Sequence, residues 1–230
     1  MEFFKTRVLE IIKETSDSYS VKMEIPQGYT WTAGQYSVWQ FGNHEVEEGD
    51  KPARIFTIAS APEDGYLMFT TRISEKHTSW KDIIVNALKV GDEMLVANPK
   101  GSFTFHPEYE KSFAVAGGIG ITPIRSLVKY FSVNNMAAHE FTVLYSDGRK
   151  EYCYHDDFVA FQKEMPNLKL VYVAEIDELN TLMKKYVDEN KNTAEYLIAG
   201  SPGMNKAVSE TLQGFGIEVE NIKTDNFIGY

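Results

Sequence analysis

The chain has 230 residues, of which 43% are hydrophobic, and a formal net charge of −10. That length fits one large domain or two of ordinary size, and the apolar content is sufficient for buried cores. The acidic balance, without any block of lysines and arginines, argues against nucleic acid as the main partner. No run of about 18 apolar residues occurs, so no membrane insertion is expected. The charged N-terminus lacks the apolar core of a signal peptide, which predicts a cytoplasmic location.

Cysteine and histidine usage restricts the possible metal chemistry. The single cysteine, Cys153, excludes an internal disulfide, a four-cysteine zinc site and a four-cysteine iron–sulfur cluster carried by this chain alone. The five histidines are scattered and show no metal-binding spacing. No metal site is therefore expected.

The first hundred residues contain short runs rich in β-forming residues, bounded by turn residues. Strands are predicted at 3–12, 19–25, 35–41, 54–59, 66–73 and 93–97. Such a series is typical of an antiparallel barrel or sandwich. One helix is predicted between the last two strands, with Thr78 or Ser79 as its cap and Gly91 as its stop.

From Ser112 onward the pattern alternates between strand and helix. Strands are predicted at 112–116, 141–145, 168–174, 195–199 and near 218–223, and helices at 123–133, 156–165, 177–189 and 203–215. This alternation predicts a parallel sheet with helices on both faces. We place the domain boundary near Pro107, which gives an antiparallel β domain at 1–107 and an α/β domain at 108–230.

A glycine loop follows the first strand of the second half. Gly117, Gly118 and Gly120 precede Thr122, a predicted N-cap, and Pro123, which suits the first helical position. Bare backbone N–H groups at a helix N-terminus suit a diphosphate, whereas the alternative is a tight turn that binds nothing. Ligands of such sheets lie at the carboxyl ends of the strands, which favours the phosphate cradle.

Six short motifs, in order, resemble those of the ferredoxin–NADP reductase-like flavoproteins. They are Ala33-Gly34-Gln35-Tyr36, Arg54-Ile55-Phe56-Thr57, Asn98-Pro99-Lys100-Gly101-Ser102-Phe103, Gly117-Gly118-Ile119-Gly120-Ile121-Thr122-Pro123, Ala199-Gly200-Ser201-Pro202-Gly203-Met204 and Asp225-Asn226-Phe227-Ile228-Gly229-Tyr230. The resemblance covers nearly the whole chain. It implies an FAD-binding β-barrel domain followed by an NAD(P)-binding α/β domain, without a fused iron–sulfur domain.

The resemblance assigns flavin roles to the first domain. Arg54 would pair with the flavin phosphate, Phe56 would pack against the isoalloxazine ring, and Thr57 would donate a hydrogen bond to flavin N5 as a catalytic residue. Without the resemblance, Arg54 is interpreted as a surface charge and Phe56 as core. The other implied cofactor-binding residues are Thr71, Arg72 and Ile73 on a flavin-lining strand, and Thr78 and Ser79 at the pyrophosphate, where helix capping is the alternative.

The resemblance also assigns nucleotide roles to the second domain. Phe227, the second catalytic residue, would cover the flavin and move aside for nicotinamide, with Tyr230 as the alternative gate and packing at the domain seam as the alternative for both. Arg149 would reach a 2′-phosphate, but Asp147 would repel it, so NADH and NADPH both remain open. The other implied residues are Gly118, Gly120, Thr122 and Pro123 at the pyrophosphate, Gly200, Ser201, Pro202 and Met204 at the nicotinamide, and Ser146 beside Arg149.

The expected function is hydride transfer from NADH or NADPH to FAD, with FMN as an alternative flavin. Electrons would leave to a separate acceptor: ferredoxin, flavodoxin, an oxygenase component, a cytochrome or free flavin. Lys76, Lys81, Lys89 and Lys100 are candidates for a basic docking patch. One alternative is an electron-transfer subunit of a larger complex without direct NAD(P)H oxidation. Another is a binding or sensor module that has lost the cofactor.

Overall fold

The computed structural model describes residues 2–134 and 139–227. Its first half is an antiparallel sheet of six strands that curls into a nearly closed barrel, with the order β4-β3-β6-β1-β2-β5. The elements are β1 (Phe3–Lys13), β2 (Ser18–Met23), β3 (Tyr36–Phe41), β4 (Ala53–Thr57), β5 (Leu67–Arg72), α1 (Ser79–Asn86) and β6 (Glu93–Ala97).

Alternation of side chains along the strands builds the barrel core. In β3, Ser37, Trp39 and Phe41 point inward and are buried, while the residues between them are partly exposed. The helix α1 closes one end of the barrel and buries Trp80, whose ring lies 4.6 Å from that of Phe41. Aromatic packing of this kind contributes about 0.5–1.5 kcal/mol per pair beyond area burial.

The second half is a parallel five-stranded sheet flanked by helices, with the order β11-β10-β7-β8-β9. The elements are β7 (Lys111–Gly117), α2 (Ile121–Val133), β8 (Glu140–Ser146), α3 (His155–Glu164), β9 (Leu168–Val173), α4 (Ile176–Asn190), β10 (Glu195–Gly200), α5 (Pro202–Gly214) and β11 (Ile222–Asn226). The strand order reverses between β7 and β10, which makes their carboxyl ends the topological switch point where such sheets bind ligands.

The predicted fold class is confirmed, and the ends of two elements in the second half were predicted wrongly. The last strand begins at Ile222 rather than near 218, because Val219–Asn221 form a 3₁₀ turn. Thr122 is not an N-cap, because the 3₁₀ turn Gly118–Gly120 runs directly into a helix that already begins at Ile121. The Thr122 hydroxyl instead donates to the carbonyl of Ile119 (3.1 Å).

A single hydrophobic cluster crosses the seam between the two halves. Ala59 and Phe103 of the first half belong to the same buried cluster as Ile119, Leu127 and Phe227 of the second. The two halves therefore share a core rather than merely touch. The boundary at 107 remains a prediction.

Polar groups of α2 fix the same seam. Arg125 is only 2% exposed, and it donates to the carboxylates of Asp64 (3.2 Å) and Asp157 (2.8 Å) and to the carbonyl of Ala59 (3.3 Å). The Ser126 hydroxyl donates to the carbonyl of Ser60 (2.8 Å). A buried guanidinium with these partners holds α2 in one orientation against the barrel.

Candidate functional site

A groove of about 620 Å³ lies beside β4 and the N-terminus of α1. Among the residues that the structure describes, its lining includes the cationic side chains Lys51, Arg54, Lys76 and Lys81 and no acidic side chain. Because the whole chain carries a net charge of −10, this is a local reversal of sign. Such a groove favours an anionic ligand. Two of the four lysines predicted for a basic patch, Lys76 and Lys81, lie here.

Arg54 stands at the centre of the groove and is already partnered. Its guanidinium donates to the carboxylate of Asp50 (2.5 Å) and to the hydroxyl of Thr78 (3.1 Å), and it also donates to the carbonyl of Lys51. Its side chain is 17% exposed. The structure thus aims Arg54 at the start of α1, where the sequence places a phosphate.

Thr78 and Ser79 begin α1, but neither side chain caps the helix. Thr78 accepts from Arg54, and the hydroxyl of Ser79 donates to Asp50 (2.8 Å). The cap comes from Asp50, whose carboxylate accepts from the backbone N–H of Trp80 (3.0 Å). The prediction that Thr78 or Ser79 caps α1 with its side chain is therefore wrong.

Phe56 and Thr57 end β4 and are both buried. The ring of Phe56 stacks on Phe69, with centroids 5.1 Å apart and planes inclined by 17°, and it also forms part of the groove wall. The hydroxyl of Thr57 lies close enough to the carboxylate of Asp225 to lower its pKa, so the end of β4 approaches the end of β11. Their roles toward the flavin remain predictions.

Of the three residues predicted on the flavin-lining strand, only Arg72 reaches the seam. Thr71 is 0% exposed, and Ile73 belongs to the barrel core. Arg72 donates to the carboxylate of Asp147 across the seam (3.0 Å). Its guanidinium nitrogen would also lie 3.0 Å from a Cβ placed on Gly118, so it borders the glycine loop.

The glycine loop meets the end of β10 closely enough to explain several of its glycines. A Cβ on Gly120 would lie 2.1 Å from the carbonyl oxygen of Ala199, so backbone packing alone requires glycine there. Gly118 has a φ of +52°, in the left-handed region that favours glycine. Cβ atoms on Gly117 and Gly200 would meet the sulfur of Met204 at 2.1 and 2.8 Å.

Two helix N-termini lie side by side at the carboxyl ends of the adjacent strands β7 and β10, and the region that they border is here called the cleft. The helix α2 follows β7 through the glycine loop, and α5 follows β10 through Ser201, whose hydroxyl accepts from the N–H of Met204 (3.3 Å). Pro202 occupies the first turn of α5 and is exposed, whereas Thr122 and Pro123 are buried in α2. Paired N-termini at a switch point suit the phosphates of a nucleotide.

Ser146 and Arg149 lie at and beyond the end of β8, beside the cleft. Arg149 pairs with the carboxylate of Asp17 from the first half (2.5 Å), and its Nε lies 3.6 Å from Asp147. The side chain of Asp147 is only 5% exposed. The one arginine predicted for a 2′-phosphate is thus held by two carboxylates.

Asp225 is a candidate site residue to which sequence reasoning gave no role. It pairs with Ala199 in the register of β10 and β11, and its carboxyl lies near the hydroxyl of Thr57. Burial raises the pKa of this carboxyl to about 6, and the nearby Thr57 hydroxyl only partly opposes that shift. The sequence signal that could have identified Asp225 was its place as the first residue of the motif 225–230.

Phe227, the predicted gate, directly follows β11. Its N–H donates to the carbonyl of Gly200 (3.0 Å), and its side chain is 9% exposed within the cluster at the seam. This position is compatible with a gate and with simple packing, so the role remains a prediction. The alternative gate, Tyr230, lies outside the described residues.

Neither a metal-binding cluster nor a membrane-spanning helix occurs in the part of the chain that the structure describes. Over residues 2–134 and 139–227, no group of three or more histidine, cysteine, aspartate or glutamate side chains is arranged to hold a metal ion. Across those same residues, every helix is too short or too polar to span a bilayer.

Comparison with known proteins agrees with this geometry. Residues 114–210 match the family described as "Oxidoreductase NAD-binding domain". The fold is similar to ferredoxin–NADP⁺ reductase from Plasmodium falciparum with 2′P-AMP (TM-score 0.81, 18% identity, 98% of this chain and 97% of that one). It is also similar to flavohemoglobin from Malassezia yamatoensis with bound FAD and heme (TM-score 0.77, 19% identity, 99% of this chain and 60% of that one).

Among curated proteins, the chain is similar to one of the subunits of the Na⁺-translocating NADH-quinone reductase of Haemophilus influenzae. The two are 27% identical over 230 residues, which is 90% of this chain and 55% of that protein. The chain thus spans about half the length of the curated relatives it matches. These findings support the recognition from the sequence: residues 114–210 match an oxidoreductase NAD-binding domain, and the two-domain fold is similar to that of ferredoxin–NADP⁺ reductase.

Proposed function

We propose that this chain is a flavin-dependent reductase that takes hydride from NADH or NADPH and delivers electrons to a separate acceptor. The observation that carries the proposal is the meeting of two sites at one seam. The cationic groove with Arg54 and Thr57 belongs to the barrel, and the glycine cleft belongs to the parallel sheet. The Arg72–Asp147 ion pair and the approach of Thr57 to Asp225 connect the two halves of the molecule that carry these sites.

The barrel groove fits a flavin nucleotide, FAD first and FMN as the alternative. Arg54, Thr78 and the lysines of the groove would face its phosphates, and Thr57 would stand at its ring. When bound, the flavin supplies the capacity to accept a hydride and release electrons. Asp225, behind Thr57, would hold or give up a proton near neutral pH, because its pKa lies at about 6.

The cleft at the ends of β7 and β10 would hold the nicotinamide nucleotide. Backbone N–H groups at Gly118 and at the start of α5 would face its diphosphate, and Met204 would lie at the nicotinamide end. We further propose a preference for NADH. Arg149 is neutralised by Asp17, and Asp147 would repel a 2′-phosphate.

The acceptor is proposed only as a class: a redox protein or a small molecule that is separate from this chain. The names of the relatives fit an electron-transfer component, since one of them belongs to an NADH-quinone reductase. That name also favours the second candidate, a subunit of a larger complex. We retain a cytoplasmic location as a proposal, supported by a single cysteine that is buried and free.

The decisive measurement is anaerobic mixing of flavin-loaded protein with NADH. Bleaching of the flavin absorbance supports the reductase, and its absence with either nicotinamide favours the subunit without direct NAD(P)H oxidation. A protein that stays colourless with added FAD or FMN refutes the flavin assignment.

Ser201 provides a sharper test of the cleft. Asp and Asn are both good N-caps, so Ser201→Asp and Ser201→Asn should keep α5 intact. The Asp variant places a negative charge against the dinucleotide, and we expect its KM for NADH to rise about tenfold, whereas the Asn control stays within about twofold. Flavin affinity should not change in either variant. Equal KM values for the two variants would contradict a diphosphate at this helix.

A further inference from the structure

The carboxylate of Asp50 is the best-partnered anion beside the cationic groove. One oxygen accepts from the guanidinium of Arg54 (2.5 Å) and the N–H of Lys51 (2.7 Å). The other accepts from the hydroxyl of Ser79 (2.8 Å) and the N–H of Trp80 (3.0 Å). Four donors of this kind, one of them cationic, form a complete anion-binding cradle.

This cradle contains the donors that a flavin phosphate would require. Arg54 and Ser79 are two of the residues that the sequence assigns to the phosphates, and both are directed at Asp50. A carboxylate and a phosphate accept from the same guanidinium, hydroxyl and backbone N–H groups. The two anions therefore compete for one position.

The lowered pKa of Asp50 and the small exposure of its side chain both indicate a stably ionised carboxylate. Burial opposes ionisation of this carboxyl, but hydrogen bonds from Ser79, Trp80 and Arg54 outweigh burial and hold its pKa well below the usual range. The Asp50 side chain is 16% exposed. At neutral pH it is charged, and a diphosphate that binds the same guanidinium nitrogen of Arg54 must compete with it.

We propose that Asp50 is an internal competitor for the flavin phosphates, so that the protein holds flavin mainly through its ring and ribityl chain and distinguishes FAD, FMN and riboflavin only weakly. This inference rests on the proposed flavin function. A groove with four cations still attracts phosphates over a distance. The strongest hydrogen-bond donors for a phosphate, however, are already bonded to Asp50. Bound flavin would therefore exchange rather than stay permanently attached.

The test measures binding, not turnover. Dissociation constants of riboflavin, FMN and FAD are determined by quenching of flavin fluorescence for the wild type, Asp50→Asn and Asp82→Asn. The Asn at 50 keeps an oxygen for Ser79 and Trp80 but loses the charge. Asp82 lies in the first turn of the same helix, bonds His77 and Asn86 instead, and serves as the matched charge control.

In the wild type, we expect the dissociation constant of FAD to be lower than that of riboflavin by a factor below about ten. In Asp50→Asn, we expect the dissociation constant of FAD to fall about tenfold from the wild-type value. Riboflavin affinity should stay within about twofold in every variant. A wild-type preference for FAD above about tenfold, or a gain below about threefold in Asp50→Asn, overturns the inference. If Asp50→Asn does not fold, the wild-type ratio alone decides. If no flavin binds to the wild type, the proposed function itself fails.

Discussion

Single residues at the seam show how an ion pair can occupy an arginine that was predicted to bind a phosphate. Arg149 was predicted to reach a 2′-phosphate of NADPH, and its guanidinium is paired with Asp17 from the opposite half of the molecule. Because a paired arginine offers little to a second anion, the identity of Arg149 alone does not indicate an NADPH site. The availability of Arg149 for a second anion depends on its pairing with Asp17.

We therefore expect Asp17→Asn to release Arg149 and to raise kcat/KM for NADPH by about fivefold to tenfold, with little change for NADH. Steady-state kinetics with both nucleotides measures this ratio. The control is Glu151→Gln, which removes a nearby charge that bonds Ser16 rather than Arg149. Equal effects of the two variants would show a general charge effect and contradict the pairing explanation.

Asp225 gives the stability of the protein a pH dependence of definite sign. Its folded pKa of about 6 lies above the ordinary value of 3.8, so the folded state binds this proton more tightly than the unfolded state does. The wild type should then lose stability as the pH rises through the window from about 4 to about 6. We expect Asp225→Asn to be more stable by about 3 kcal/mol above pH 7 and close to the wild type below pH 4. Urea unfolding at several pH values measures the gap, and a constant gap would contradict a raised pKa.

At this scale, the sequence predicted residues that belong to local motifs and missed their distant partners. Arg54 and Thr57 were predicted as site residues because they lie in one four-residue motif. Asp225 is far from Thr57 in sequence, and only the approach of β11 to β4 brings them together. Asp50 is only four residues from Arg54, but its proposed role also depends on the hydrogen bonds that Ser79 and Trp80 donate from the start of α1.

Among the elements, the glycine loop between β7 and α2 has two different constraints. Gly118 needs its left-handed backbone, whereas Gly120 needs space next to β10. A pattern of glycines predicts a phosphate loop without distinguishing these reasons. The structure makes Gly120 first a packing residue, so that a large side chain there would disturb the sheet together with any bound nucleotide.

We expect Gly120→Ala to lower the free energy of unfolding by about 2–4 kcal/mol, because its Cβ would overlap the carbonyl of Ala199. The control is Gly203→Ala in α5, where a Cβ meets nothing within 4 Å. That change should stay within about 1 kcal/mol of the wild type. Urea denaturation compares the two. A loss in Gly120→Ala no greater than in the control would contradict the close approach.

Strands and helices were predicted well where one periodicity ran through the segment. The strand β6 and the body of α5 follow from alternation and from helical spacing. Ends were predicted less well, as at Thr122, because a 3₁₀ turn entering a helix leaves no distinct cap residue. Such turns depend on neighbouring strands and not on the local sequence.

For the whole molecule, Arg125 couples the two halves most strongly among the charged residues described. Removing it would leave the carboxylate of Asp64, which is 5% exposed, buried without its cation. We expect Arg125→Met to cost about 3–5 kcal/mol. Lys5→Met, which breaks a surface pair with Glu93, should cost less than about 0.5 kcal/mol. Thermal unfolding measures both, and similar small losses would contradict the buried coupling.

The order of the two halves was predictable, because a change from strand runs to strand–helix alternation is visible along the chain. Their joint core was not. Leu127 and Phe103 are both apolar residues of ordinary segments, and nothing in their spacing says that they share one cluster. The packing of one half against the other depends on the shapes of the two surfaces. It also depends on side chains such as Arg125, which has hydrogen-bond partners in both halves.

The shared cluster also bears on how this protein can be divided. If the chain is cut near residue 107, the fragment beginning there loses Ala33, Ala59 and Phe103 as neighbours, and the apolar side chains of Ile119 and Leu127 face water. An uncovered apolar surface of this kind promotes self-association. Separate halves would therefore be poor building blocks for chimeric reductases, and a swap of the nucleotide half would require its matching seam residues from the barrel.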